Sequence, residues 1–596
     1  MSEIRLTIDG VEASVPQGSS IMEAADHVGI RVPRLCWHPR LSMQGACRVC
    51  IVEVEGLRNL VASCCYPAEE GMVVHTRTPE ILQLRRDIVE LLLDNHPEDC
   101  NTCERDGNCE LQRLAYVMGI RERLFAGDRK RYAKDLSSPA VIRDPEKCVL
   151  CGRCVRMCGE VQEVGALGQV HRGFQTVVMP AHDAPFMETV CVGCGQCVNV
   201  CPTAAFLEKD ATRQFLAALE DPDKIVVSQM APSVRAAIGE CFGAQPGTTW
   251  EGKCFAAQRR MGIDVVFDTQ FSADLTIMEE AAEFVERVKA GGPLPNITSC
   301  CPTWVKYCEQ FHPDLMKYLS SAKSPMSMQG AVLKSYWAEK QGVDPDRIYS
   351  VAFMCCTCKK FEATRQELFV AGRPAVDAVL TTREFAWLIK HMGIDFLGLP
   401  NEAPDAPLGE STGAAAIFGA TGGVTEAALR TAYFTLFGEE LPDDGIEFEQ
   451  VRGMQGACGE AGVREARLNF QGTEVRIAVC HGLGSANRVL DRLRAGEEFH
   501  WIEVMGCPGG CIGGGGQPYA GANAIPLDEN LLRLRAQSLY DLDEHRAIRR
   551  SHHNPDIQRL YNEYFEHPMS HKAHELLHAY YHARVPMGIR PQEAQE

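Results

Sequence analysis

No apolar run in this chain approaches the ~18 residues a membrane-spanning helix requires, so no membrane span is expected. Positive charge is also short: 60 Lys and Arg stand against 79 Asp and Glu, a formal net charge of −19. A nucleic-acid binder needs a basic face to displace counterions, so no nucleic-acid partner is expected. The opening MSEIRLTIDG lacks a basic segment followed by an apolar one, and no secretory signal is expected. No stretch has the spacing and lysine of a phosphate-binding loop or a clear dinucleotide fingerprint, so a nicotinamide nucleotide is expected to bind elsewhere. Cysteine, by contrast, is abundant: 28 in 596 residues. With 45% apolar and 23% charged residues the chain is an ordinary globular one. Its length suits roughly three to six domains. The expected setting is cytoplasmic and reducing, where clustered cysteines favour metal over disulfides.

Residues 1–78 read as a small β-rich domain. Ile4, Leu6 and Ile8 alternate up to an Asp9-Gly10 turn, and Val11, Ala13 and Val15 alternate after it, a hairpin pattern. Ser19 and Ser20 can cap a short helix over 21–28. Cys36, Cys47, Cys50 and Cys64 then suit a [2Fe–2S] cluster held by four thiolates. A structural zinc site is the competing reading, but the hairpin and helix resemble a plant-type ferredoxin. Cys65 adjoins a ligand and is read as a bystander. Thr78-Pro79 opens a helix with Ile81, Leu84, Ile88 and Leu91 on one stripe. At its end come His96, Cys100, Cys103 and Cys109, a plausible cage for a [4Fe–4S] cluster in a domain over 79–125. A histidine beside the helix dipole is the alternative for His96.

The most specific local signal is a duplication over 126–210: Cys148-x2-Cys151-x2-Cys154-x3-Cys158, then Cys191-x2-Cys194-x2-Cys197-x3-Cys201-Pro202. Such runs exchange their fourth ligands. Cys148, Cys151, Cys154 and Cys201 are expected to hold one [4Fe–4S] cube, and Cys191, Cys194, Cys197 and Cys158 the other. Several redox centres along one chain make sense as a relay for single electrons.

From about 211 strand and helix signals alternate. Segments 224–229, 263–268, 347–353 and 475–479 are strand-like, 232–240 is helix-like, and a long helix runs through Met278 to Ala290. This pattern suggests α/β layers with sites at the carboxyl ends of strands. Three loops carry the remaining clustered cysteines: TSCCPTW over 298–304, MCCTCKKFE over 354–362, and EVMGCPGGCIGGGGQP over 503–518. The glycines of the third are expected to let backbone approach a bulky inorganic group.

These three motifs resemble the signatures of the [FeFe]-hydrogenases, and the N-terminal cluster order is similar to their long, multi-cluster form. The resemblance covers nearly the whole chain and implies an H-cluster, a [4Fe–4S] cube bridged by one thiolate to a diiron unit with CO, cyanide and azadithiolate. Position by position it implies cube ligands Cys301, Cys356, Cys507 and Cys511, with Cys511 bridging. It implies a relay thiol at Cys300 and a proton route through Glu280, Glu283, Ser320 and Arg287. On residues alone, the Glu280/Glu283/Arg287 helix face reads as a solvated stripe. Lys359 matches a residue that hydrogen-bonds a cyanide, and Pro232, Ser233, Met354 and Met505 are expected around the diiron unit. For the two methionines ordinary core is the alternative.

Three positions depart from the family pattern: Cys355 stands where proline is usual, Cys358 where a small residue is, and Met326 where glutamine is expected. All three are expected near the diiron pocket. Cys241, Cys254, Cys308, Cys458 and Cys480 are assigned to packing. The tail over 526–596 reads as helical. His567, His571, His574, His578 and His582 are assigned to packing and surface rather than metal, and 570–581 resembles the family's fused small subunit.

The fold expected is multidomain, α+β and α/β. It comprises a β-grasp [2Fe–2S] ferredoxin domain, a small His/Cys cluster domain, a two-[4Fe–4S] ferredoxin-like domain, a two-lobed α/β catalytic domain over 211–525, and a helical tail. The cofactors implied are one [2Fe–2S] cluster, three accessory [4Fe–4S] clusters and the H-cluster. The activity implied is reversible H2 oxidation and proton reduction. The partners implied are a ferredoxin and/or a flavin/NAD(P)-binding subunit with a small [2Fe–2S] subunit. A hydrogen sensor, a non-catalytic iron–sulfur scaffold and a respiratory electron-transfer subunit are the rivals.

Overall fold

The computed structural model describes residues 2–122, 125, 127–442, 462–521 and 524–584. Cys458 and the end of the tail lie outside them. The N-terminal hairpin forms as its alternation requires: Glu3–Ile8 pairs antiparallel with Val11–Pro16 around Asp9-Gly10. It joins a five-stranded sheet with Val73–His75, Ile51–Val54 and Val61–Ala62. Helix Ile21–His27 starts at Ser20, whose hydroxyl accepts from Glu23 N–H while Glu23 reaches back, a reciprocal cap. Helix Pro79–Asp94 is capped by Thr78 with proline in its first turn.

Two four-stranded sheets form the lobes of the catalytic half. One is all parallel, in the order Val265–Val266, Ile225–Met230, Ile348–Met354, Ala378–Thr381. The other runs Asn296–Ile297, Trp501–Met505, Thr473–His481, Val463–Phe470, with only the last pair antiparallel. Both are buried: Val227, Val351, Ile477, Ile502 and Val504 are fully inaccessible, as strands covered on both faces should be. Helix Thr269–Ala290 packs along both lobes, with Phe271 and Leu275 in one core and Ala281 and Phe284 in the other.

Two sequence expectations give way to tertiary contacts. The helix expected over 232–240 breaks after Pro232–Arg235 and resumes as a 3-10 turn, Ile238–Phe242. The buried Arg235 turns to Asp268, with bonds of 2.7 and 2.9 Å. Its carbonyl accepts from Trp250 N–H instead of from the next helical turn. The strand expected over 263–268 shrinks to Val265–Val266, because the carboxylates of Asp264 and Asp405 take backbone N–H groups of Val226 and Val266.

The tail is helical in pieces and lies along helix Thr269–Ala290. After Glu529–His545, Asp274 of that helix accepts from Ser551 and Asn554, and Glu279 accepts from Tyr561. The last helix, His571–Leu577, gives way to an antiparallel bridge between His578 and Ala322. Among the described residues no helix is long and apolar enough to cross a membrane.

Candidate active site

Four loops leave the carboxyl ends of parallel strands and converge between the lobes. They begin at Ala231, Thr298, Cys355 and Gly506, each directly after a strand. They enclose an almost wholly apolar cavity of ≈ 80 Å³. Cys301, Cys356, Cys507 and Cys511 all line it, and each thiol lies within electrostatic reach of others of the set. Burial pushes Cys356 up to about 12 and holds Cys507 well above the usual thiol range, with no neighbouring cation sufficient to offset it. Burial alone favours the neutral thiols, and a soft metal cluster, by supplying the positive charge they lack, would take them as thiolates.

The glycines of the third motif do two kinds of work. Gly506, Gly510 and Gly514 line the cavity, as expected. Gly513, Gly514 and Gly515 let protein backbone approach protein backbone: a Cβ on Gly515 would stand 2.4 Å from the Cys194 carbonyl oxygen, one on Gly514 2.3 Å from that of Cys355, and one on Gly513 2.0 Å from that of Pro508. Pro232, Ser233, Met326, Met354 and Met505 also border the cavity. Phe418 and Gly419 do so too, from a 3-10 turn that has no motif to announce it.

The departures from the family pattern fall in two places. Cys355 lines the cavity and hydrogen-bonds the Cys511 thiol. Cys358 faces away from it and donates to the Val192 carbonyl at 3.0 Å, at the boundary with the Cys191 run. It stays near the pocket as expected, packed with Cys355 and Cys356 and within electrostatic reach of Cys301, in the first turn of helix Cys358–Glu362. Lys359, one position on, points in; it donates to the Cys300 carbonyl at 3.3 Å and pairs with Glu362 at 2.6 Å. Burial disfavours its charge, but Glu362 outweighs burial and raises the ammonium above its usual range.

Cys300 borders the cavity beside the four thiols, with Glu280 close enough to raise it further after burial has done so. The Glu280/Glu283/Arg287 face is not the solvated stripe its charges alone suggest. Glu280 is 1% exposed, and neither carboxyl oxygen has a close hydrogen-bond partner. Burial, then the Glu283 charge, pushes it up to about 8. Ser320 donates to Glu283 at 2.7 Å, and Arg287 pairs with Glu283 at 2.6 Å while donating to the carbonyls of Tyr318 and Leu319. The five groups line up as a polar thread from the cavity to a partly exposed arginine. Glu503, within the third motif, instead caps helix Gly423–Phe437, accepting from Gly422 N–H at 2.7 Å and Thr425 N–H at 2.8 Å.

The other cysteines gather in groups that approach one another. Cys36 hydrogen-bonds Cys47 and Cys64, and Cys50 hydrogen-bonds Cys64, whereas Cys65 is exposed. Arg156 of the duplicated region donates to the Cys36 carbonyl at 2.6 Å. His96 lies close to Lys147, and Lys147 hydrogen-bonds Cys103. Burial holds the His96 imidazole neutral, down to about 4, which leaves a lone pair for a metal. Glu110, beside Cys109, donates its N–H to Pro202, beside Cys201. Cys201 acts on Cys148, Cys151 and Cys154, and Cys158 on Cys191, Cys194 and Cys197. Thr357 then donates to the Gly193 carbonyl at 2.8 Å, and Gln196 hydrogen-bonds Cys507. Cys254, Cys308 and Cys480 are buried in cores, and Cys241 packs against one. The His574 and His578 rings meet tilted, their centroids 4.5 Å apart, and His567 contacts the Pro568 carbonyl.

Comparison with known proteins agrees with this geometry along the chain. Residues 224–515 match the iron-only hydrogenase large subunit, C-terminal domain, and 529–584 the iron hydrogenase small subunit. Residues 1–79 match a 2Fe-2S iron-sulfur cluster binding domain, 85–123 an NADH-ubiquinone oxidoreductase-G iron-sulfur binding region, and 147–205 a 4Fe-4S dicluster domain. The NADP-reducing hydrogenase subunit HndD of Solidesulfovibrio fructosivorans is 49% identical over 98% of this chain and 100% of its own length. Iron hydrogenase 1 of Clostridium pasteurianum is 38% identical over 97% of this chain and 99% of its own. A solved structure of a variant of [FeFe]-hydrogenase HydA1 from Chlamydomonas reinhardtii superposes with a TM-score of 0.55 at 39% identity, covering 63% of this chain and 99% of that one. Identity over full length, and a catalytic match that spans the cavity-forming loops, establish that the chain belongs to the iron-only hydrogenases.

Proposed function

We propose that this chain interconverts H2 with two protons and two electrons, at a cluster that Cys301, Cys356, Cys507 and Cys511 would hold. The observation that carries the reading is the ring of four thiols from three distant loops around one apolar cavity, with a fifth thiol, Cys300, beside a buried carboxyl. When bound, the H-cluster supplies an iron site with an open position and the redox chemistry that side chains lack. Enzyme matured with the diiron cofactor is expected to show infrared bands of CO and cyanide and to evolve H2 from reduced viologen. Matured protein without those bands would refute the reading.

The chain's own residues supply the proton route and the electrostatics. Cys300 both donates and accepts a proton, as a relay must. Glu280, held up at about 8, can take and release one near neutral pH. Ser320 orients Glu283, and Arg287 tethers Glu283 towards solvent. Lys359 keeps a positive charge on the cavity wall, suited to an anionic ligand such as cyanide. Pro232, Ser233, Met354 and Met505 shape the wall and exclude water.

Electrons travel by the accessory sites: a [2Fe–2S] cluster on Cys36, Cys47, Cys50 and Cys64, and a [4Fe–4S] cluster on His96, Cys100, Cys103 and Cys109. Two further cubes sit on the interleaved runs. The working division is 1–78, 79–125, 126–210, 211–525 and 526–596, with a β-grasp first domain. A cytoplasmic flavin/NAD(P)-binding subunit with a small [2Fe–2S] subunit, or a ferredoxin, is the electron partner. What supports the nucleotide-linked choice is the full-length likeness to a subunit of an NADP-reducing hydrogenase.

A further inference from the structure

Helix Thr269–Ala290 presents Glu280 and Glu283 to the polar thread, but Glu279 faces the C-terminal tail. Glu279 is fully buried and has three partners there: the Tyr561 hydroxyl at 2.6 Å, Met569 N–H at 2.8 Å and His578 Nε2 at 3.0 Å. The other ring nitrogen, His578 Nδ1, meets the Ser321 hydroxyl at 2.9 Å. The backbone N–H of Ser321 in turn donates to both oxygens of Glu283, at 3.2 and 3.0 Å. The main chain repeats the attachment. Ala322 pairs with His578, Ala579 N–H donates to Ser321 O, and Lys323 N–H donates to Leu577 O, both at 2.8 Å. The buried Lys323 ammonium adds a bond of 3.0 Å to the Leu576 carbonyl. Ala322, so held, donates its N–H to the Ser320 hydroxyl at 3.2 Å, leaving that hydroxyl's proton for Glu283.

We propose that the tail clamps the proton route, with His578 as the positioning residue that fixes Ser321 and, through it, Ser320 and Glu283. The chain from His578 to Glu283 is not itself a proton wire, because its link from Ser321 to Glu283 is a backbone N–H, which does not exchange its proton during turnover. The contribution is geometric: proton transfer falls steeply when donor and acceptor leave hydrogen-bonding distance. This inference rests on the hydrogenase reading and on the route through Glu283.

The test compares wild type with His578→Ala, His578→Asn and Ser321→Ala, each as full-length chain. Asparagine can place a polar atom where Nδ1 stands, and Ser321→Ala removes the contact with little change in volume. His578→Ala and Ser321→Ala are each expected to lower H2 evolution about tenfold, the worth of one hydrogen bond in a polar network. Their CO and cyanide bands should be unchanged, and His578→Asn should regain most of the rate. In protein lacking the diiron unit, amide hydrogen exchange at Ser321 and Ala322 should be faster in both alanine variants. Wild-type rates or wild-type exchange in Ser321→Ala, shifted bands accompanying the loss, or no recovery in His578→Asn would each overturn the clamp. If matured wild type evolves no H2 the hydrogenase reading fails, while the exchange measurement still decides whether the tail holds the loop.

Discussion

Replacing Glu280 by glutamine should trade function for stability, in a pH-dependent way. Glu280 ordinarily titrates near 4.5 and in the fold is held up at about 8 by burial, then by the Glu283 charge. Folding therefore takes up a proton at this site between those values. The stability associated with the protonated form is fully present below pH 4.5 and is lost as pH rises through 8. The loss runs at about 1.4 kcal/mol per pH unit, so roughly 3 kcal/mol has gone by pH 7. Glutamine has the same shape and titrates nowhere in this range. The difference in unfolding free energy between Glu280→Gln and wild type should shift in the variant's favour by roughly 3 kcal/mol from about pH 4.5 to pH 7. Denaturant midpoints of the two proteins, taken side by side across that interval, read the difference directly. Taking the difference cancels the titrating groups that do not interact with residue 280. Activity should go the other way: the matured variant keeps its CO and cyanide bands but loses about a hundredfold or more in H2 evolution, the scale of a missing acid–base group. A stability difference that stays flat with pH would refute the assigned burial and charge effect. A fully active variant would remove Glu280 from the route.

Four other outcomes follow from the same structure. Cys300→Ala should keep the infrared bands and lose most turnover; retained turnover would end its relay role. His96→Ala should release about four iron atoms per chain and one cluster signal in electron paramagnetic resonance, while an unchanged iron count would return His96 to a helix-terminal role. Asp268→Asn leaves the buried Arg235 with Glu251 as its remaining counter-charge and should cost about 1.5–3 kcal/mol, seen as a lowered thermal midpoint. Gly195→Ala should slow electron delivery more than H2 chemistry with a small dye. Its φ is +69°, and its new Cβ would meet Thr357 Oγ1 at 2.3 Å and Gly515 Cα at 3.0 Å. Equal slowing with protein and dye donors would contradict that assignment.

The sequence makes some features legible and hides others for physical reasons. Cysteine groups are readable because ligand spacing is local and thiolate chemistry narrow, so even the crossed partners Cys158 and Cys201 follow from the repeat. Strands Ile225–Met230 and Ile348–Met354 are readable because buried parallel strands are continuous apolar runs, whereas the run over 263–268 is cut short by side-chain carboxylates. Glu279 and Glu280 show the opposite case. Adjacent and identical, they point to opposite sides of one helix, one to the tail and one to the cavity, and periodicity gives no origin from which to tell the sides apart. His578 reads as packing in the sequence; its two ring nitrogens in fact join Ser321 to Glu279, contacts 257 and 299 residues away along the chain. Phe418 and Gly419 are invisible because a single turn carries no period.

In the proposed function the same placement brings protons and electrons together at the cavity. On one side the proposed path is carboxyl, hydroxyl and arginine: Glu280, Ser320, Glu283, Arg287. On the other, thiol groups approach through Cys194 and Cys507, and Thr357 and Gln196 join the chain segments by donating to the backbone carbonyls of Gly193 and Gly513. Protons need contiguous exchangeable groups and fail at a gap of a few ångströms, whereas electrons cross such gaps. A wall of apolar residues and amide hydrogen bonds therefore passes one and blocks the other. Negative charge arriving at the cavity by the electron side would act on Glu280 in the same direction as Glu283 does, raising its affinity for a proton. Electron arrival and proton uptake are thereby linked by Coulomb interaction alone, without any moving part.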